Sequence, residues 1–374
     1  MIIRIEDLKE ISQTILAAVD NSELSVLTET LELKVTNNIL YMNVTNREYY
    51  AQVKLAMGGA EEDFHATVNA NLFLKLVSQI TTDTVEFNIV NNSLVVKANG
   101  TYKLPLIYDN ETLLELPTIN IDNITSEFDI NSDILISIYN YNSKQLTTSG
   151  ATKPVQKMYY VDEKGAITFT TGACINNFTL EKPVKLLLTN KIVKLFKLFK
   201  GNNVHFTLGY DSISKDIIQT KVKFESDSVA ITAILSCDDS MINSVPVTAI
   251  RNRADFSNYK YSVTFNKELI TETINRLLLF TFNSKFLNAS GKFEFNTDSV
   301  TITDVSGENG ESISYNNDTS NVLEPYTAIL DLNDLKMVLD TCTEQYVTFM
   351  FGDEQAVIIC RGNIVNVVPE LHTV

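Results

Sequence analysis

Three times along its 374 residues, this chain sets an amphipathic helix before a short turn and then a strand of the form Val-x-Phe-x-apolar. A helix at 72–80 precedes Val85, Phe87 and Ile89. A second at 192–199 precedes Val204, Phe206 and Leu208, and a third at 335–342 precedes Val347, Phe349 and Phe351. Another landmark opens each copy. Ile3 and Ile5 lead into a helix with Leu8, Ile11, Ile15 and Val19 on one stripe, as a spacing of three and four requires. Phe128 and Ile130 lead likewise into a helix at 132–145, and Val263 and Phe265 into one at 266–279. Repeats this long are the mark of duplicated modules set side by side, so the shape of the assembly is itself a candidate for the function. Three domains follow, at 1–125, 126–250 and 251–374. Loops absorb the drift in spacing between copies.

With 44% hydrophobic residues the chain can build several cores. No apolar run approaches the roughly 18 to 20 residues that span a bilayer. Glu6 and Asp7 come too early for a signal peptide. Cys174, Cys237, Cys342 and Cys360 are scattered and form no C-x-x-C pair, which argues against both disulfides and zinc and for the cytoplasm.

A formal charge of −16 should repel nucleic acid, yet whole-chain charge does not say where each sign sits. In the second copy, Ile192, Leu195, Phe196 and Phe199 share one helix face, while Lys194 and Lys197 point away from it and Lys191 and Lys200 flank the run. Lys75 stands opposite Phe73, Leu76 and Ile80 in the first copy, and Lys336 flanks Leu335, Val338 and Leu339 in the third. A solvated face explains any one of these lysines. Their recurrence on equivalent helices favours a functional face, although the third copy also carries Asp334 and Asp340.

Catalytic signals are poor. His65, His205 and His372 lie at no metal-ligand spacing, and His205 reads as the outward residue of a strand. The 13 glycines form no phosphate-cradling loop. Residues 306–311 read as a hairpin turn between strands at 300–302 and 312–314. Carboxylate runs such as Glu61 to Asp63 and Asp238 with Asp239 read as solvated loops. No cofactor and no metal is expected.

Four stretches carry a resemblance to a known family. They are Ala66 to Val77, Thr170 to Gly172 after an apolar strand, Asn266 to Arg276, and the closing Asn366 to Leu371. In their order and spacing they resemble the bacterial sliding clamp, the beta subunit of DNA polymerase III, over essentially the whole length. The resemblance implies an α+β clamp fold, three similar domains with helices on one face of antiparallel sheets. Two copies would close head to tail into a ring around sequence-independent double-stranded DNA and tether a polymerase, a clamp loader and other proteins by short peptides. Carried over residue by residue, it puts Lys75, Lys191, Lys194 and Lys197 on the DNA side and Leu104, Leu106, Ile107, Leu279 and Phe280 at the dimer interface. It puts Thr170, Gly172, Ile175, Pro246, Phe286, Val357, Val367, Val368, Pro369 and Leu371 in the peptide groove. Departures gather in that groove. Clamps commonly read Thr-Asp-Gly-His-Arg-Leu where this chain has Thr170, Thr171, Gly172, Ala173, Cys174 and Ile175, and their Met-Arg-Leu ending is here Glu370 and Leu371 with three more residues. Such divergence suits a virus-encoded member with its own polymerase. Two other classes compete: a non-catalytic repeat-domain structural protein, and a nuclease or phosphatase whose scattered carboxylates converge in space.

Overall fold

The same order of elements runs through the chain three times: a strand, a helix, four strands, a helix and three strands. The first pass consists of β1 (Ile2–Arg4), α1 (Ile5–Leu16), β2 (Thr30–Thr36), β3 (Ile39–Thr45), β4 (Tyr49–Ala56), β5 (Phe64–Asn69), α2 (Ala70–Gln79), β6 (Thr84–Val90), β7 (Ser93–Lys97) and β8 (Thr101–Pro105). A small pair, β9 (Tyr108–Asp109) and β10 (Thr112–Leu113), follows. The second pass has β11 (Asn123–Asn131), α3 (Ser132–Ser137), a π-helical turn (Ile138–Asn142), α4 (Ser143–Gln145), β12 (Met158–Asp162), β13 (Gly165–Phe169), β14 (Ala173–Asn177) and β15 (Lys185–Thr189). It ends with α5 (Asn190–Val193), a 3-10 helix (Lys194–Phe199), β16 (Asn203–Ser214), β17 (Ile217–Glu225) and β18 (Val229–Ile234). After α6 (Asp239–Asn243) and α7 (Val247–Arg253) comes the third: β19 (Tyr261–Asn266), α8 (Lys267–Thr281), β20 (Ser290–Phe295), β21 (Ser299–Asp304), β22 (Gly310–Ser314), β23 (Tyr326–Asp331), α9 (Leu332–Asp340), β24 (Tyr346–Phe351), β25 (Ala356–Arg361) and β26 (Ile364–Pro369). This computed structural model describes residues 1–22, 25–58, 63–146, 151–214, 217–281, 289–304, 306–316, 319–352 and 356–371.

Each pass supplies two four-stranded half-sheets. One half has the order β1-β6-β7-β8, repeated as β11-β16-β17-β18 and β19-β24-β25-β26; the other has the order β5-β2-β3-β4, repeated as β15-β12-β13-β14 and β23-β20-β21-β22. Two antiparallel joints fuse halves from successive passes into eight-stranded sheets. β18 lies on β4 with Ile231 opposite Ala51, and β26 lies on β14 with Val365 opposite Ile175. The corresponding strands of the two halves left over are β8 and β22, each pairing on one side only among the described residues.

Residues 1–136 and 191–237 form one compact unit, and residues 137–190 and 238–374 another. The middle pass is shared between the two units because its two half-sheets are fused to different neighbours.

Local chemistry accounts for these elements. Asn37 and Asn38, and again Asn91 and Asn92, take positive φ in the two-residue turns joining β2 to β3 and β6 to β7. Asparagine tolerates that left-handed backbone, and such turns match the twist of paired strands. Asn69 caps α2 by accepting from the Leu72 amide, and Asp331 caps α9 by accepting from the Asn333 and Asp334 amides. The phenylalanine of each Val-x-Phe strand is buried, and two of them pack on the opening strand of their own pass: Phe206 on Phe128 at 4.9 Å and Phe349 on Phe265 at 5.1 Å.

Two helices differ from their sequence expectation. The stretch expected as one helix at 132–145 widens into a π turn, and the side chain of Asn142 reaches the carbonyls of Ala166 (3.3 Å) and Cys174 (3.1 Å). The helix expected at 192–199 tightens after Val193 into 3-10 geometry.

Burial and the Asp331 carboxylate push Asp334 up to about 6. The folded state therefore keeps a proton that the unfolded chain sheds near pH 4, so this group favours folding at low pH and its contribution is lost as pH rises through 6. Asp334→Asn is expected to stabilise the protein at pH 8 by about 1–2 kcal/mol, allowing for the helix N-terminus that favours a carboxylate there. The gain should shrink between pH 8 and pH 5 in urea unfolding.

Candidate nucleic-acid interface and peptide groove

Lys191, Lys194, Lys197 and Lys200 recur every third residue. On an α-helix they would fan across half the circumference, but a 3-10 helix has three residues per turn, so Lys194 and Lys197 fall in register along one edge about 6 Å apart, and Lys200 follows as the residue that ends the helix. The other two edges hold the helix down. Phe196 and Phe199 pack on Phe224 of β17, at 4.9 and 6.5 Å, and Leu195 is buried. All three row lysines are exposed, as is Lys75 on α2. A cleft of about 530 Å³ opens beside the row, lined by Gln13 and Thr14 of α1 together with Lys197, Lys200 and Asn202. Lys200 and this cleft were not among the expected site residues. The period of three was visible, but only the tighter helix turns it into a straight row.

Lys191 stands differently. Its ammonium pairs with Asp20 at 3.0 Å and Glu48 at 3.8 Å. Burial alone would raise the Asp20 carboxyl, but bonds from Ser22, Lys191 and Asn46 outweigh it and hold the group well below the usual carboxylate range. In the third pass, Arg276 makes two bonds of 2.7 Å to Glu311, and Lys336 bonds Asn275.

The expected groove residues divide. Thr170, Gly172, Val367 and Pro369 come together where β14 meets β26. The Thr170 side chain accepts from Gln145 (3.1 Å), and its amide donates to the Gly172 carbonyl (2.9 Å). Gly172 lies so close to β26 that a Cβ would sit 2.5 Å from the Val367 carbonyl oxygen. Ile175 and Val367 share one face of the joint by strand alternation, with Val365 between them. Val357 and Val368 are a correction: they face each other across β25 and β26 and lie in the core with Leu335 and Phe349, so they stand on the opposite face from Ile175 and Val367. Leu371 is half-buried, its amide donating to Ile329, and Glu370 accepts from the Tyr326 hydroxyl at 2.6 Å. Pro246 is exposed at the start of α7, which is anchored by Arg251 donating to Asp162 at 2.6 Å. Phe286 and His372 lie outside the described residues. Gly172→Ala is expected to push β14 from β26, at about 1–3 kcal/mol. Denaturant midpoints check this.

The expected interface residues divide too. Leu104 and Leu106 point inward and are buried, so the outer margin of β8 presents its backbone with Thr101, Tyr102, Lys103 and Pro105. Ile107 is half-buried, its amide donating to the Thr67 carbonyl. Leu279 and Phe280, at the end of α8, are neighbours in sequence and are 70% and 53% exposed; several other large apolar side chains are exposed too, such as Leu323 at 75%. Sequence reading found β22 only as a hairpin arm, because its position at an unmatched edge emerges from the strand order alone.

Solved structures with this architecture exist. The DNA polymerase III subunit beta from Pseudomonas aeruginosa superposes with a TM-score of 0.79, covering 100% of both chains at 15% identity. The chain has the sliding-clamp fold. The DNA polymerase sliding clamp from Bacillus subtilis also gives 0.79, covering 100% of this chain and 99% of the other at 14% identity. The Helicobacter pylori beta clamp bound to a DNA ligase peptide gives 0.73 at 14% identity, with coverage of 100% and 99%. The sequence itself matches no protein-family model and no curated protein. In this clamp fold, among the described residues, no three His, Cys, Asp or Glu side chains converge as a metal site, and no helix is long and apolar enough to cross a membrane.

Proposed function

We propose that the chain is a DNA sliding clamp: two copies close into a ring around duplex DNA and tether a polymerase and other peptide-bearing partners, without catalysis of their own. The pair of unmatched strands, β8 and β22, carries this reading. Every joint inside the chain sets the last strand of one kind of half-sheet on the last strand of the other, and the same rule applied between copies sets β8 on β22 and β22 on β8. Such a contact closes with two-fold symmetry. Leu279 and Phe280 then find cover at the same closure, and the three modules are those at 1–125, 126–250 and 251–374.

A ring that holds DNA by topology needs little affinity, so the row Lys194, Lys197 and Lys200 suffices against phosphates while the remaining acidic surface discourages stray contacts. Contacts that read no base edge leave neighbouring positions on DNA similar in energy, which permits sliding. Lys75 is a further DNA-side lysine, and Lys191 serves there while braced by Asp20. Thr170, Gly172, Ile175, Val367, Pro369 and Leu371 form the peptide groove, with Pro246 at its margin; its preference differs from that of clamps with a His-Arg pair. The protein should remain on nicked circular DNA and leave when the circle is linearised. A complex that is salt-sensitive but indifferent to cutting would refute the ring.

A further inference from the structure

Arg361 ends β25 and is 3% exposed. Its Nη1 donates to the Val338 carbonyl (2.9 Å) and to the Cys342 sulfur (3.1 Å), while Nε and Nη2 have no hydrogen-bond partner. Among the described residues it makes no ion pair. The ring of Tyr141 lies over the guanidinium at 5.1 Å, and its quadrupole offsets little of the cost of burying a charge. Arginine cannot escape that cost by losing its proton. A second buried donor without a partner, Asn366 Nδ2, belongs to the same neighbourhood. Asn366 faces Cys174 across the β14–β26 joint, and the Cys174 thiol contacts the Tyr141 carbonyl at 3.7 Å. Unused N–H groups and a permanent positive charge, beside an aromatic ring and the Cys342 thiol, favour something small and negative.

We propose that Arg361 binds a small inorganic anion, chloride in the cell, which rivets α9 to the β14–β26 joint. The inference is independent of the clamp reading. Two rival solutions compete for these groups: a water taken up by Asn366 Nδ2 and the likewise unpartnered Oδ1 of Asn142, and the carboxylate of Glu344, whose Oε1 lies 3.9 Å from the place a Cβ on Gly362 would occupy.

Crystals grown in bromide test the idea on the unaltered protein. An anomalous peak against Arg361 Nε and Nη2 supports it. Overturning results are bromide at the surface alone, a water in its place, or Glu344 seated on the guanidinium. In solution, exchanging gluconate for chloride at constant ionic strength should raise the melting temperature by about 2–4 °C, and Arg361→Met should abolish the dependence. An equal chloride response in Arg361→Met would reject the site, and should that variant fail to fold, the bromide map decides alone.

Discussion

Replacing both Leu279 and Phe280 with aspartate is expected to leave a folded protein that sediments as single copies and slips off nicked circular DNA. These side chains are 70% and 53% exposed, so the substitutions remove little from the chain's own core. If they are covered on ring closure, each removes roughly 1.5–3 kcal/mol of apolar burial and adds a charge that must be desolvated. Together they should weaken closure by about a thousandfold or more. Analytical ultracentrifugation across a concentration series, with circular dichroism as the check on folding, reads the result directly. Unchanged assembly would mean that the closure uses another surface.

The second large effect concerns the lysine row. Reversing Lys194, Lys197 and Lys200 to glutamate should leave assembly intact and strip the protein of its grip on phosphates. Each lost phosphate contact lowers the salt slope by about one, so the triple variant should reduce the slope of the weak binding measured at low salt by about three and be retained less on nicked circular DNA. Lys191 is left out because it braces Asp20 and Glu48, and its loss would confuse weaker DNA contact with a loosened fold. Equal slopes for the variant and the parent would remove these lysines from the DNA side.

What the amino-acid sequence revealed, and what it hid, follows from which periodicities survive burial. The Val-x-Phe strands stood out because Val204 and Phe206 are buried on one face while His205 between them is half-exposed and bonded to Asp129. β25 and β26 lack that contrast. From Ala356 to Ile359 and from Ile364 to Val368 every residue is buried, so nothing in the string tells which valines face a groove and which face the core. That is why Val357 and Val368 were taken together with Val367. A period of three on the lysine helix was equally ambiguous, since it is compatible with a loose stripe or a straight row until the helix pitch is known. Residues 312–314 were read as one arm of a hairpin, and β22 (Gly310–Ser314) does pair with β21. Their role as an unmatched joint depends on strand order, which no local pattern encodes.

The two unmatched strands also set the terms on which the protein lives in dilute solution. If closure pairs β8 of one copy with β22 of the next, as proposed, a lone copy would bear two raw margins, and any chain of copies that failed to close would still end in one of each. In that arrangement curvature alone would separate a finished circle from a growing filament. A variant that flattened a joint without weakening it should therefore polymerise rather than fall apart.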